Sequence, residues 1–480
     1  MLDIDKTTLA DLSVFNTEEG FSVFHFLNLT LTSNGKDQLY RILQHPMDDY
    51  DSITAMQETI QLVISRLNDW PAIISNGTIK VIERFYETAI DAPPAEMTSL
   101  NTFTYKIFHG PDYSLLKYSS IHCFDFIRGM KQFLALFPED QSPPPLRALL
   151  ADCRRALNHP ELSVTDTCQR AGDLGKPALL QFGRYIRFRF RQQMIELLHL
   201  HARLDAWFGM AKAVLQYGLQ FPTFSRSNEP FMEARGLYHI LLQEPVSYDV
   251  RLHPDKNFMF LTGANMAGKS TFIKSVGIAV FLAHLGMGVP AKSMSLSVFN
   301  GLLSNINVAD NIVRGESYFF NEVQRIKGTI QKINDGRRWL ILIDELFKGT
   351  NVQDAMKCSS LVIEGLLKMP NALFILSTHL YEIGDADVDN ARLTYRAKIR
   401  TKDVEGRVFL EMRCVFRGKG EYFSRGLDTF LTGTNDWTTQ ETPFFLKKGQ
   451  RPELIKLNLV ITGKGTVWID DAKLIRGPLK

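Results

Sequence analysis

The sequence is poor in the features that would place it at a glance. Its 480 residues include only five cysteines, Cys123, Cys153, Cys168, Cys358 and Cys414, scattered without a C-x-x-C pair. Unpaired thiols in a reducing compartment are therefore expected, ahead of a zinc site or a disulfide framework. Long apolar runs are missing too. The longest, 277–289, is interrupted by His284 and falls short of the about 20 residues a membrane span needs. The opening MLDIDKTTLADL carries acids where a signal peptide would have basic and apolar segments. Neither sign of charge dominates, with 55 Lys and Arg against 52 Asp and Glu, a formal charge of +3. Any contact with nucleic acid must then come from a local patch. With 45% apolar and 22% charged residues, and no internal repeat, disorder, collagen-like structure and membrane integration are excluded. The cytoplasm is the expected location.

At about 150 residues per domain, the length suggests roughly three domains. Residues 1–235 read as helical. In 53–67, Ile53, Met56, Ile60, Val63, Ile64 and Leu67 recur at i, i+3, i+4 spacing, one apolar helix face. A longer helix is expected from Arg191 to about Leu219, burying Met194, Leu197, Leu198, Leu204, Phe208 and Met210 and stopping before Pro222. In 236–388 the pattern changes to continuous apolar strands, 257–261, 339–343 and 372–376, alternating with helices at 270–285 and 354–367. That alternation predicts a mostly parallel sheet covered on both faces. In 389–480 strands are expected at 392–401, 408–417, 454–461 and 466–469, separated by Gly, Asn and Asp turns, an antiparallel sandwich-like tail. The fold class is thus multidomain α and α/β with a small β tail.

Chemistry concentrates in the middle third. Gly263-Ala-Asn265-Met-Ala-Gly268-Lys269-Ser270-Thr271 is a G-x-x-x-x-G-K-S loop between a predicted strand and a predicted helix. Gly263 and Gly268 let the backbone curl so that its N–H groups face phosphate oxygens, and the helix N-terminus favours anions. Lys269 supplies a cation to those phosphates, and the Ser270 hydroxyl is the expected Mg²⁺ ligand. The strand 340–343 runs into Asp344 and Glu345. Asp344 is placed to hold Mg²⁺ through water and Glu345 to polarise an attacking water. Ser377-Thr378-His379 closes the next strand, where His379 can sense a γ-phosphate or orient water.

Together GANMAGKST, LILIDELFKGTNVQD and STHLYEI resemble the ATPase domain of the DNA mismatch-repair MutS family, an ABC-type ATPase class. GMGVPA at 286–291 and DNIVRGESYFFNEV in 310–323 look like further segments of that domain. The resemblance implies ATP and Mg²⁺ as cofactors and a homodimer closed through this domain. Ser317 would cap the γ-phosphate held by the partner subunit, although Tyr318 replaces the small hydroxyl residue usual beside it. Ala264 and Ala267 stand where the family often has Pro and Gly. More weakly, 1–235 resembles the family's helical core and lever. The wedge domain that recognises mismatches is expected to be missing and the DNA clamp reduced. Phe231-Met232-Glu233 spells the wedge tripeptide, but its place just ahead of the ATPase makes it a coincidence.

The function expected from this resemblance is ATP hydrolysis coupled to binding of duplex or branched DNA with low sequence specificity. For DNA contact, Arg184, Arg187, Arg189 and Arg191 interleave with aromatics. A solvated basic face opposite a buried aromatic one accounts for the same spacing and is preferred. The tail, with Trp437, Phe444, Phe445 and Trp468, resembles jelly-roll ligand-binding modules, including carbohydrate-binding ones, with Trp468 expected in the core. That leaves two alternatives: a ligand- or carbohydrate-binding protein with an inert ATPase half, and an ATPase acting on a protein partner.

Overall fold

In the computed structural model, residues 1–15, 22–261, 268–306, 318–347, 352–377, 382–384, 390–416, 420–452 and 454–479 are described. The chain divides into two compact units: residues 1–349 with 362–377, and residues 350–361 with 378–480.

The first unit begins with helices whose faces follow the sequence pattern. The helix Tyr50–Ser65 starts at Asp49, whose carboxylate caps the Ser52 N–H, and buries Ile53, Ile60 and Val63. The longer helix runs Arg191–Gln216 and buries all six residues expected of it. It also carries a buried carboxylate. Asp205 accepts from the N–H groups of Leu31 and Thr32 (both 2.8 Å) and from the Thr32 hydroxyl (2.6 Å). Thr32 in turn caps the helix Ser33–Gln44 through Gly35 N–H, so one Asp fixes how two helices meet.

A five-stranded, wholly parallel sheet follows in the order β1 (Asp3–Ile4), β7 (Gly301–Asn305), β8 (Trp339–Asp344), β9 (Ala372–Ser377) and β5 (Phe258–Leu261). The strands are continuous Leu, Ile and Phe because helices cover them. The helices expected between them run Lys269–Ala283 and Val352–Leu366. The edge strand β1 comes from the very start of a region the sequence pattern marks as helical. A separate mixed sheet orders β2 (Thr223–Ser225), β6 (Ser293–Ser297), β3 (Met232–Leu237) and β4 (Tyr248–Leu252). The Phe-Met-Glu tripeptide lies at its edge of sequence: Met232 is fully buried in β3 and Glu233 pairs with Arg251 and His253. One continuous apolar core joins the helices to the parallel sheet.

The second unit departs from expectation. Its strands β10 (Glu382–Gly384), β11 (Ala391–Phe416), β12 (Gly420–Arg425), β13 (Leu431–Leu446) and β14 (Leu454–Gly477) form one antiparallel sheet, not a sandwich. The segments 392–401 and 408–417 fuse into the 26-residue β11, and 454–461 and 466–469 fuse into the 24-residue β14. The Gly and Asp signals between them are bulges, not turns. Gly406 pairs with Gly463 at φ +134° and +112°, and a Cβ on either would lie 1.6–1.7 Å from the facing carbonyl oxygen. The ladder therefore bends there without ending. The bend also switches which residues face inward, from Leu393, Tyr395, Ala397 and Ile399 to Val408, Leu410, Met412 and Cys414. Trp468 pairs with Arg400 on the opposite face and is half-buried, so it is not a core residue.

Candidate nucleotide-binding site

The C-terminal ends of three parallel strands meet in register, with Asp344 opposite Ser377 and Ser377 opposite Leu261. In open parallel sheets ligands bind outside these strand ends. From β5 the chain passes to Gly268, which has φ +88° and no protein atom nearer than 4.0 Å to an added Cβ. Glycine is needed here for backbone conformation and not for space. Gly268 supplies no side-chain cap to the helix Lys269–Ala283, whose N-terminus favours an anion. Lys269, its first residue, is buried, and Ser270 is exposed.

Two hydroxyls converge on one carboxylate. Ser270 Oγ donates to Asp344 Oδ2 at 2.5 Å, and Ser377 Oγ donates to Asp344 Oδ1. Asp344 is only 7% exposed. This all-oxygen donor set of an exposed hydroxyl beside a buried carboxylate suits a small hard cation such as Mg²⁺.

Glu345 follows in left-handed conformation at φ +62°, and Phe347 does so again at φ +59°. Two such residues in three positions cost about 1–3 kcal/mol each and persist only where surroundings dictate them. Here Leu346 and Phe347 are buried, Phe347 packs on Phe319 at 5.7 Å, and Glu345 N–H donates to Ser377 carbonyl at 3.1 Å. Flanking anchors thus hold the half-buried Glu345 directly beside the Asp344 cluster.

Of the residues singled out in the sequence, Gly268, Lys269, Ser270, Thr271, Asp344 and Glu345 are assembled around these strand ends. Gly263, Asn265, Ser317 and His379 lie outside the described residues. One contributor to the site and one buried anchor elsewhere in the unit escaped sequence reading. Ser377 was overshadowed by His379 in the same tripeptide, although a hydroxyl at a strand end beside an acidic one was the available signal. Arg325, in the helix Tyr318–Ile333, bonds Asp11 at 3.1 Å and also the side chain of Asn305 and carbonyl of Ser304. Asp11 is buried and also accepts the Ser304 hydroxyl (2.6 Å) and Ile306 N–H (3.0 Å). This network ties the first helix, Lys6–Asp11, to the helix that follows Ser317.

The arginine run does not form one face. It crosses the end of the helix Lys176–Phe188 and the start of Arg191–Gln216. Arg187 is used internally, donating to the carbonyls of Phe85 and of Thr88 (2.7 Å) and lying over the Phe85 and Tyr86 rings. Burial pulls its pKa below the usual arginine range. Arg184 is half-buried, whereas Arg189 and Arg191 are exposed. The five cysteines are free, and burial pushes the thiols of Cys153 and Cys414 up to about 12.

Comparison with known proteins adds to this geometry. The family model described as MutS domain V matches residues 259–422. The chain is 31% identical over 192 residues to the DNA mismatch repair protein MutS of Lactococcus lactis subsp. cremoris (strain SK11), covering 39% of this chain and 22% of that protein. It is 31% identical over 194 residues to the DNA mismatch repair protein MutS of Pseudothermotoga lettingae, with 40% and 23% covered. For the protein of the same name from Petrotoga mobilis the values are 27% over 233 residues, 48% and 27%. The matched part thus spans about a quarter of the length of these relatives.

Proposed function

We propose that this chain, whose residues 259–422 match MutS domain V, binds ATP with Mg²⁺, hydrolyses it, and couples nucleotide state to DNA binding. The observation that carries this reading is the convergence of Ser270 and Ser377 on Asp344 at the mouth of a G-x-x-x-x-G-K-S loop.

In this reading Lys269 and the N-terminus of its helix bind the β- and γ-phosphates, with Gly263, Asn265 and Thr271 completing the cradle. Ser270 and Asp344 hold Mg²⁺, which would neutralise charge on the phosphates. Ser377 occupies the second oxygen of Asp344 and so fixes the rotation of that carboxylate. Glu345 accepts the proton of the attacking water. His379 senses the γ-phosphate, and Ser317 serves the partner's nucleotide in a homodimer. The helical region 1–235 acts as the lever on DNA, with Arg189 and Arg191 rather than Arg187 as contacts. No helix among the described residues is long and apolar enough to cross a membrane, and the proposed site of action is the cytoplasm.

The test is nucleotide binding and steady-state phosphate release by the full chain, together with filter binding to forked and duplex DNA with and without ATP. Lys269→Ala is expected to lose ATP binding. Unchanged ATP turnover in that variant would refute the assignment.

A further inference from the structure

The near-neutral charge of the whole chain conceals a separation. Residues 390–480 hold eighteen Lys and Arg against ten Asp and Glu, whereas the preceding residues are net acidic. In the second unit four of these arginines lie against aromatics on the face of the sheet opposite its apolar side. The Arg400 guanidinium sits over the Trp468 ring at 5.3 Å and Arg407 over Phe430 at 4.8 Å. Arg392 lies over Phe445 at 5.8 Å and Arg425 over Phe423 at 4.3 Å. Cross-strand pairing puts Arg400 with Trp468, Arg392 with Phe445 and Arg413 with Phe423, so these three share one side of the ladder.

Much of the negative charge on this face is already neutralised. Glu411, 1% exposed, accepts from Arg413 and Arg425, each at 2.5 Å, and from Asn458 at 3.1 Å. Among the described residues no carboxylate pairs with Arg392, Arg407, Lys398 or Lys402.

We propose that this open face binds single-stranded DNA. Exposed rings with adjacent guanidinium groups offer both stacking for bases and charge for phosphates. A duplex keeps its base faces stacked inside, so the rings would contribute nothing to it. A neutral sugar gains nothing from the cations, whereas a base can stack on a ring or a guanidinium plane while its phosphate meets the charge. DNA is named because the proposal rests on the DNA-binding reading above, of which this face would be a second, nucleotide-independent part. At about 3.3 Å per residue the first and last rings are at most roughly 70 Å apart, enough for one strand to cross several of them. The face needs no nucleotide, so the proposal stands apart from the ATPase reading.

The experiment is fluorescence anisotropy of labelled oligo-dT, about 30 nucleotides long, with the full chain and no ATP, at low and moderate salt. Binding that weakens with salt is expected. Trp468→Ala with Phe430→Ala is expected to lower affinity about tenfold or more, and Arg407→Ala to flatten the salt dependence by about one ion. Unchanged melting of these surface variants separates lost contact from lost fold. Lys269→Ala should bind oligo-dT like the parent chain even though it fails with ATP; loss of oligo-dT binding there would move the site to the ATPase. Parent-like affinity in the double variant, equal ring dependence for a duplex, tighter binding of oligo-U, or competition by a neutral hexasaccharide would each overturn the proposal.

Discussion

Ser270 donates its hydroxyl to Asp344 at 2.5 Å across 74 positions of sequence. The bond joins the first turn of a helix to the end of a strand, and Ser377 closes it from the next strand. Asp344→Asn should keep the fold but reduce Mg²⁺-dependent hydrolysis by about 100-fold or more. Ser377→Ala should act more mildly, raising the Mg²⁺ requirement by about 10–100-fold. Titrating Mg²⁺ against turnover distinguishes them, and a Ser377→Ala enzyme with parent-like Mg²⁺ dependence would remove that residue from the site.

Glu345 gives a sharper split between binding and chemistry. Glu345→Gln should bind ATP normally and lose about 10²–10⁴-fold in turnover, the usual contribution of a general base. Single-turnover measurements at saturating ATP test it directly. Substantial hydrolysis by the glutamine variant would assign the base elsewhere.

Arginines of the 184–191 run should separate by burial. Arg187→Ala removes the bonds to Phe85 and Thr88 and should cost about 1–3 kcal/mol of stability. Arg189→Ala and Arg191→Ala should leave the urea midpoint nearly unchanged and weaken duplex binding instead. The reverse pattern would remove this run from the DNA contacts.

Three buried histidines make the fold acid-sensitive. Burial lowers His201, His239 and His284 to about 4 from the ordinary 6.5. The unfolded chain therefore takes up these protons first, and stability should fall as pH drops from about 6.5 towards 4. His201 and His284, both fully enclosed, each account for up to roughly 3 kcal/mol. His284 shows why: Nδ1 bonds the Met47 carbonyl at 2.7 Å while Nε2 accepts Phe299 N–H, leaving no acceptor for a second proton. Denaturation midpoints at pH 7.5, 6 and 5 test this. His201→Phe, beside Phe126 and Phe133, should flatten part of the slope.

The facing glycines of the long ladder should tolerate no side chain. Gly406→Ala or Gly463→Ala drives a Cβ into a carbonyl and should destabilise the second unit by roughly 3 kcal/mol or more. Hydrogen exchange along β11 and β14 would report it, with little change expected in β8 and β9.

These tests also mark how far the sequence could be read. The helix 191–216, the strands through Asp344 and Ser377, and the loop ending at Ser270 were legible because each depends on a local period or fixed spacing. The tail was misread because glycine has two uses. The same Gly and Asp that end a strand in a turn also let paired strands bend at a bulge, and only cross-strand pairing tells them apart. β1 was invisible because two residues carry no period. Arg187 looked like its neighbours because its partners, backbone carbonyls about 100 positions away, leave no mark in sequence.

β1 also sets an order of events. Asp3 and Ile4 pair with Gly301 and Leu302, so during synthesis this strand has no neighbour until nearly 300 more residues have followed. At about 5–20 residues per second that is roughly 15–60 s of waiting. Once Asn305 has followed, the β1–β7 edge can pair before β8 and β9 are made, whereas β5, at the far edge, must wait for β9. The two edges of the parallel sheet therefore close at different times, with β9 completing it.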